Sequence, residues 1–355
     1  MAQQRNTAGF LRKNLKGILI TVVFATSFFI PTPYYLYQPG SAEELAPKVT
    51  VANSAKDEKG NLMLTTVLSI KASNIYVLGY GLLAPHTEIR AEEDVKGDLS
   101  TDEYDRLLKH MMTSSQQFAI INAFKAAKES VQVTYNGVFV RDMYPQSKAK
   151  GVLEVGDLIT SVDGKAMQRA EQLTDYISKS KKPGDKVKVD FTRDGANKTA
   201  EIELINLTSL SDKPNDPPRA GFGMLPENDV TSQPAREVTI HAEDIGGPSA
   251  GLMFSMEIYS QLTPGDLTKG YKIAGTGTMD LDGKVGQIGG IRHKIVAADK
   301  AGAEIFFAPA DVNPHDTNAA EAADEAKKIG AKMKVIPVAT MQEAVDYLTK
   351  LQPKQ

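Results

Sequence analysis

The strongest hydropathy feature of the chain lies near its start. No Asp, Glu, Lys or Arg occurs from Gly17 to Ala42, and Arg5, Arg12, Lys13 and Lys16 precede that stretch. Its apolar core, Gly17–Ile30, continues through Pro31-Thr-Pro-Tyr-Tyr-Leu-Tyr37. A run of this length is enough to cross a hydrocarbon layer of ~30 Å. The pattern predicts a cytoplasmic tail over 1–16 and a transmembrane helix over 17–37, with Tyr34, Tyr35 and Tyr37 at the interface. Residues beyond about 40 are then expected outside, making this a single-pass cell-membrane protein with a cytoplasmic N-terminus. Ala25-Thr-Ser27 offers a cleavage site for a signal peptide, but the apolar run continues past it.

Further along, short alternating runs predict strands and longer periodic ones predict helices. Lys48–Val51 and Leu62–Leu68 read as strands flanking a hairpin-like turn at Asp57–Gly60. Glu103–His110 and Ser114–Lys128 read as helices, the second with Phe118, Ile121 and Phe124 near one face. Whether this region, 38–130, completes a later domain is left open by the pattern. Ser211–Arg219 is proline-rich and has little to bury, placing a linker over 208–220. Beyond it, a strand over 236–242 leads to a helix over Leu252–Tyr259. Strands at 272–274, 304–309 and 334–337 then alternate with helices at 319–328 and 341–351, giving an α+β fold class.

Composition narrows the chemistry. The net charge of −3 shows no nucleic-acid footprint. The absence of Cys excludes thiol catalysis and cysteine-ligated metal, and the five His form no metal-binding spacing. No metal and no cofactor is expected. Gly277–Lys284 fails as a phosphate loop, with five residues between its glycines and Val285 where Ser or Thr is required.

Two stretches carry the candidate chemistry. In Asp244-Ile-Gly-Gly-Pro-Ser249-Ala-Gly-Leu252, the glycines and Pro248 break the chain just before a helical run. Ser249 is therefore expected at or just inside a helix N-terminus, where free N–H groups suit a developing oxyanion. In Gly289-Gly-Ile-Arg-His-Lys294-Ile-Val-Ala-Ala298, the apolar positions Ile291, Ile295 and Ala298 form a stripe. Lys294 falls on that stripe, while Arg292, His293 and Lys300 point elsewhere. Burial lowers a lysine pKa, and a neutral amine is able to activate a serine hydroxyl. Gly247–Gly251 also fits Gly-x-Ser-x-Gly, but Ala242–Gly247 is a poor strand, and His241, His293 and His315 are weakly placed for a Ser–His–Asp site.

These motifs resemble the proteolytic domain of the Lon family over roughly residues 221–350. Gly247-Pro-Ser249-Ala-Gly251 resembles its nucleophile motif, Gly289–Gly302 its lysine helix, and Thr276-Gly277 the threonine-glycine before it. Gly246 stands where many Lon enzymes have an acid, with Asp244 the nearest one. The resemblance implies a ribosomal-protein-S5-like fold over 221–352 and a Ser249–Lys294 dyad with Thr276 orienting the amine. It implies a serine endopeptidase, and the failed phosphate loop predicts one without the ATPase motor of full-length Lon, needing no ATP. Residues 131–207 resemble a PDZ domain, a β-sandwich-like module. Tyr135-Asn-Gly-Val-Phe-Val140 resembles the peptide-gripping loop and strand, Gly156–Gly164 the central strand and turn, Ala170–Ser178 the groove helix and Lys186–Arg193 the next strand. A peptide is then expected to bind beside Tyr135, Asn136, Gly137 and Val138 by β-augmentation. The expected partners are a peptide or protein substrate and the membrane, without nucleic acid, and homo-oligomerisation stays open. The rival class is an inactive membrane-tethered PDZ scaffold or peptide-binding protein. Retention of Ser249, Lys294 and Thr276 argues for chemistry.

Overall fold

The computed structural model describes residues 2–54, 59–210, 216–242 and 245–354. Helix α1 (Ala2–Ser27) precedes strands β1 (Tyr34–Glu44), β2 (Val49–Val51) and β3 (Asn61–Lys71). Next come α2 (Ile75–Leu83), β4 (Glu88–Ala91), α3 (Glu92–Lys96) and the long α4 (Thr101–Ala126). A second unit holds β5 (Val131–Met143), β6 (Leu158–Val162), β7 (Lys165–Ala166), α5 (Ala170–Ser180), β8 (Lys186–Arg193) and β9 (Ala196–Glu203). It continues through β10 (Ile205–Asn206), β11 (Ala220–Gly221) and β12 (Met224–Pro234). The chain then runs through β13 (Val238–Ile240), α6 (Gly251–Leu262), β14 (Lys272–Gly275), β15 (Thr278–Met279) and β16 (Val285–Gly286). It ends with α7 (Ile291–Lys300), β17 (Ile305–Pro309), α8 (Asn318–Ile329), β18 (Lys334–Val338) and α9 (Met341–Thr349).

The main sheet has the order β18-β17-β14-β3-β1-β4. Its parallel half is β18, β17, β14 and β3; β1 and β4 continue it antiparallel. Side-chain alternation sorts two cores onto its faces. Ile305 and Phe307 of β17 join Leu62 and Leu64 of β3 in a core with α4, α6 and α9. Phe306 and Ala308, with Met63, face α7 and α8. Residues before the second unit and residues after it thus share one sheet. The second unit is an antiparallel sheet, β12-β5-β6-β8-β9, flanked by α5.

The predicted transmembrane helix is not found. Helix α1 ends at Ser27, because Pro31 and Pro33 cannot continue it, and Tyr34, Tyr35 and Tyr37 are paired residues of β1. Its first half carries Arg5, Arg12, Lys13 and Lys16, which leaves an uncharged segment from Gly17 to Ser27. At 1.5 Å per residue that segment spans roughly 16 Å, half of the ~30 Å required. Among the described residues, no helix is long and apolar enough to cross a membrane. The expected single-pass localisation, with cytoplasmic N-terminus and extracellular bulk, is corrected accordingly.

Three local expectations also change. The pair around Asp57–Gly60 is no hairpin: β2 pairs with β13, whereas β3 pairs with β1 and β14. Residues 55–58 of that turn, 211–215 of the linker, and Asp244 lie outside the described residues. The helices expected at 103–110 and 114–128 are one helix, α4, opened by a capping box between Ser100 and Glu103. Residues 224–234, expected in the proteolytic domain, instead form β12 of the second unit's sheet.

Helix α6 is buried along almost its whole length, and Phe254 is fully enclosed between α4 and the sheet. Phe254→Ala is expected to cost ~3–5 kcal/mol of stability, read from the urea midpoint.

Candidate active site

The site lies where β3 parts from β14. Strand β14 ends at Gly275, paired with Leu64; just beyond that pair, Thr276 holds Ser249 through its hydroxyl and Thr65 holds Lys294 through its carbonyl. The carboxyl edge of a parallel sheet is where open α/β sheets place their sites. Helix α6 approaches closely here, because a Cβ on Gly275 would lie 2.6 Å from Met253 Sδ.

Ser249 stands two residues before the first residue of α6, just outside the helix rather than within it, with Ala250 as N-cap. Its carbonyl is held twice, by Thr276 Oγ1 and by Gly277 N, each at 2.9 Å. Leu252 N returns a bond to Gly277 O at 3.1 Å, lacing the turn to the Thr276-Gly277 segment. Gly277 adopts φ +152°, which a side chain would oppose by meeting Val285.

Lys294 reaches the same point from the opposite side of the sheet. Helix α7 begins after Gly290 and buries Ile291, Lys294, Ile295 and Ala298 on one face. The Lys294 amine lies 3.2 Å from Ser249 Oγ and donates to the Thr65 carbonyl at 2.5 Å. Lys294 is only 3% exposed, and among the described residues it has no carboxylate partner. Burial alone lowers its pKa to about 7. The neutral amine is therefore accessible near neutrality, with a lone pair for the Ser249 hydroxyl.

Other sequence candidates fall differently. Thr276 is fully buried beside the pair, but its hydroxyl serves the Ser249 carbonyl, not the Lys294 amine as expected. His293 is buried, and its ring Nε2 lies 3.6 Å from Glu88. His241 lines the cleft. Thr65 was missed by sequence reasoning: it contributes through a backbone carbonyl, which leaves no residue-type signal. The cleft over Ser249 and Lys294 has a volume of about 1320 Å³, walled by Tyr37, Thr66, Leu68, Tyr104 and Ile245 among others.

The predicted peptide-binding residues of the second unit are also displaced. Tyr135, Asn136, Gly137 and Val138 lie on β5, an interior strand. Val138 pairs with Asn228 of β12 on one side and Ile159 of β6 on the other, so no edge is open there. A Cβ on Gly137 would lie 2.7 Å from the Ile159 carbonyl. The sheet's edge beside α5 is β12. A cavity of about 200 Å³ lies between Leu173, Thr174 and Ile177 of α5 and the segment Gly221–Met224. Gly221-Phe-Gly-Met224, expected from sequence at the start of the proteolytic domain, lines this cavity instead.

Comparison with known proteins finds two family matches, whose bounds differ from the sheet boundaries: β12 lies beyond the first and overlaps the start of the second. Residues 230–350 match the family described as the Lon protease (S16) C-terminal proteolytic domain, and residues 124–204 the PDZ domain family. The Lon protease of Neorickettsia sennetsu is 31% identical over 34% of this chain and 14% of its own length. That of Mesomycoplasma hyopneumoniae is 36% identical over 29% of this chain and 11% of its own. The PDZ domain of an SdrC-like protein from Listeria monocytogenes is 37% identical, covering 27% of this chain and 92% of that one, with a TM-score of 0.23. The chain thus carries a Lon-type serine peptidase domain together with a PDZ domain. It spans no more than about a seventh of the length of these two Lon proteases.

The buried amine makes a stability prediction. Lys294 binds fewer protons folded than unfolded between about 7 and its ordinary 10.5, so its cost to folding is full below that window and fades as pH rises through it. Lys294→Met should therefore raise Tm by several degrees at pH 7, with the gain shrinking toward pH 10, as measured by calorimetry.

Proposed function

We propose that this protein is a peptidase in which Ser249 attacks the scissile carbonyl and neutral Lys294 takes its proton. The observation that carries this reading is the 3.2 Å contact between Ser249 Oγ and a buried amine whose pKa lies at about 7. As the Oγ–C bond forms, the Ser249 proton passes to Nζ, and the resulting ammonium returns it to the leaving amine. Water then repeats the sequence on the acyl-enzyme. The Thr65 carbonyl aims the amine, and Thr276 with Gly277 fixes the nucleophile's backbone. Backbone N–H groups at the turn before α6 receive the oxyanion.

The PDZ domain suits recognition of peptide or protein chains. An extended segment adds to the edge of β12 along α5, where the cavity between Thr174 and Gly221–Met224 receives its side chains. Cleavage proceeds without nucleotide in this reading, because serine acylation by an amine base requires none. Substrates are therefore short peptides or flexible segments that enter the cleft unassisted.

Ser249→Ala should abolish peptide turnover while leaving Tm nearly unchanged. Lys294→Arg should be as inactive as Lys294→Ala, because guanidinium stays protonated. Activity should rise with pH through about 7 and persist at alkaline pH, since the protonated amine cannot accept the serine proton. An active Lys294→Arg with an inactive, folded His241→Ala would replace this reading by a histidine base.

The docking role has its own test. Thr174 is exposed on α5 and lines the cavity, so Thr174→Trp should fill it without disturbing the core. Cleavage of a long substrate should fall several-fold while that of a short peptide stays constant. Equal loss of both would place peptide docking elsewhere.

A further inference from the structure

We infer that Ser115 of α4 is a positioning residue for the nucleophile turn, holding the Pro248 carbonyl so that the Ser249 N–H faces the cleft. This inference rests on Ser249 being the nucleophile. Ser115 is 2% exposed, and its hydroxyl donates to Pro248 O at 2.9 Å. A serine inside a helix ordinarily turns its hydroxyl to its own helix, as Ser255 does toward Gly251 O. Ser115 instead reaches across to a residue 133 positions away, next to the nucleophile.

The consequence follows from peptide geometry. A trans peptide is planar, with its C=O and N–H on opposite sides. Among the described residues no peptide bond is cis, so a Pro248 carbonyl drawn toward α4 sends the Ser249 N–H the other way. The next unit is fixed from another direction, since Thr276 and Gly277 hold the Ser249 carbonyl and thereby orient the Ala250 N–H. Among the described residues, neither of these N–H groups has a hydrogen-bond acceptor. Both are left for a ligand oxygen.

The turn needs such external restraint. Gly246 and Gly247 precede it, and Gly247 sits at φ +81°. Glycines leave the approach to the turn loosely specified. Gly251 N also reaches Pro248 O, at 3.2 Å, but that contact closes the turn on itself and does not tie it to the frame. Ser115 makes the tie to α4. The approach is close: a Cβ on Gly251 would lie 2.9 Å from Ser115 Oγ.

The test uses the full chain, a fluorogenic peptide and a peptide boronate whose tetrahedral adduct places an oxygen at the oxyanion position. Ser115→Ala should lower kcat ~10–100-fold, below the ~10²–10³-fold cost of deleting an oxyanion donor outright. KM should stay within about twofold, as expected when only transition-state contacts are lost. Boronate affinity should fall by about the same factor as kcat. Ser115→Thr and Ser115→Val have the same shape and differ in the hydroxyl, so Thr should exceed Val by about tenfold in kcat at matched Tm. Equal rates for Thr and Val, a loss confined to KM, or unchanged boronate affinity would overturn the inference. Residual cleavage by Ser249→Ala, or a wild type that turns over no peptide, would instead remove the dyad reading itself. An inert Ser249→Ala beside a fully active Ser115→Ala would remove only the role of Ser115.

Discussion

The interaction on which the rest depends is the burial of one amine. An ammonium enclosed without a carboxylate is costly, and the usual response is to lose its proton. The site around Lys294 supplies only a carbonyl and a hydroxyl, and these satisfy an amine without stabilising a full charge. Much of the architecture serves to create that environment. Helix α7 brings the lysine on its apolar face, β3 supplies the carbonyl, and the turn before α6 supplies the hydroxyl. Because β3 belongs to the N-terminal part of the chain, the site is complete only when segments from both sides of the PDZ unit share one sheet.

The turn around Ser249 shows a second constraint. Its glycines allow a tight approach but do not choose a conformation. The choice is imposed by hydrogen bonds on two successive carbonyls, Pro248 from Ser115 and Ser249 from Thr276 and Gly277. These donors come from α4 and from the end of β14, both anchored in the core that encloses α6. A loop of low intrinsic preference thereby acquires the rigidity of the elements around it.

Helix α4 also ties the two units together. Ser115 meets the nucleophile turn, whereas Gln117, two residues on, accepts from both the backbone N–H and the hydroxyl of Ser232 on β12. Arg106, near the other end of the helix, pairs with Glu154 and packs against Gly156 of the PDZ unit. Strand β12, at the edge of the PDZ unit's sheet, is therefore held by the same helix that restrains Pro248.

The sequence alone determined the features that depend on residue type and local period. Ser249 before a helical run and Lys294 on an apolar stripe were legible because a 3.6-residue period places residues on faces regardless of distant context. The same held for the helix at 319–328 and for the strands of the carboxyl-terminal region, whereas the helix at 170–178 was read from the PDZ resemblance. What required long-range partners was decided only by the tertiary structure. An apolar run before Pro31 and Pro33 reads as a span, but the following tyrosines had a pairing partner in β3, and strand formation satisfied their backbone. A Gly-containing strand at Tyr135–Val138 reads as a peptide edge, but β12, drawn from beyond the linker, already occupied one side. Thr276 is a hydroxyl in the right neighbourhood, yet which atom it serves depends on how β14 meets the turn. The contributions of the Thr65 carbonyl and Ser115 Oγ come from segments 229 and 133 residues from the groups they hold. Local periodicity carries no information about such pairings, because packing of the whole chain sets which backbone atoms face each other.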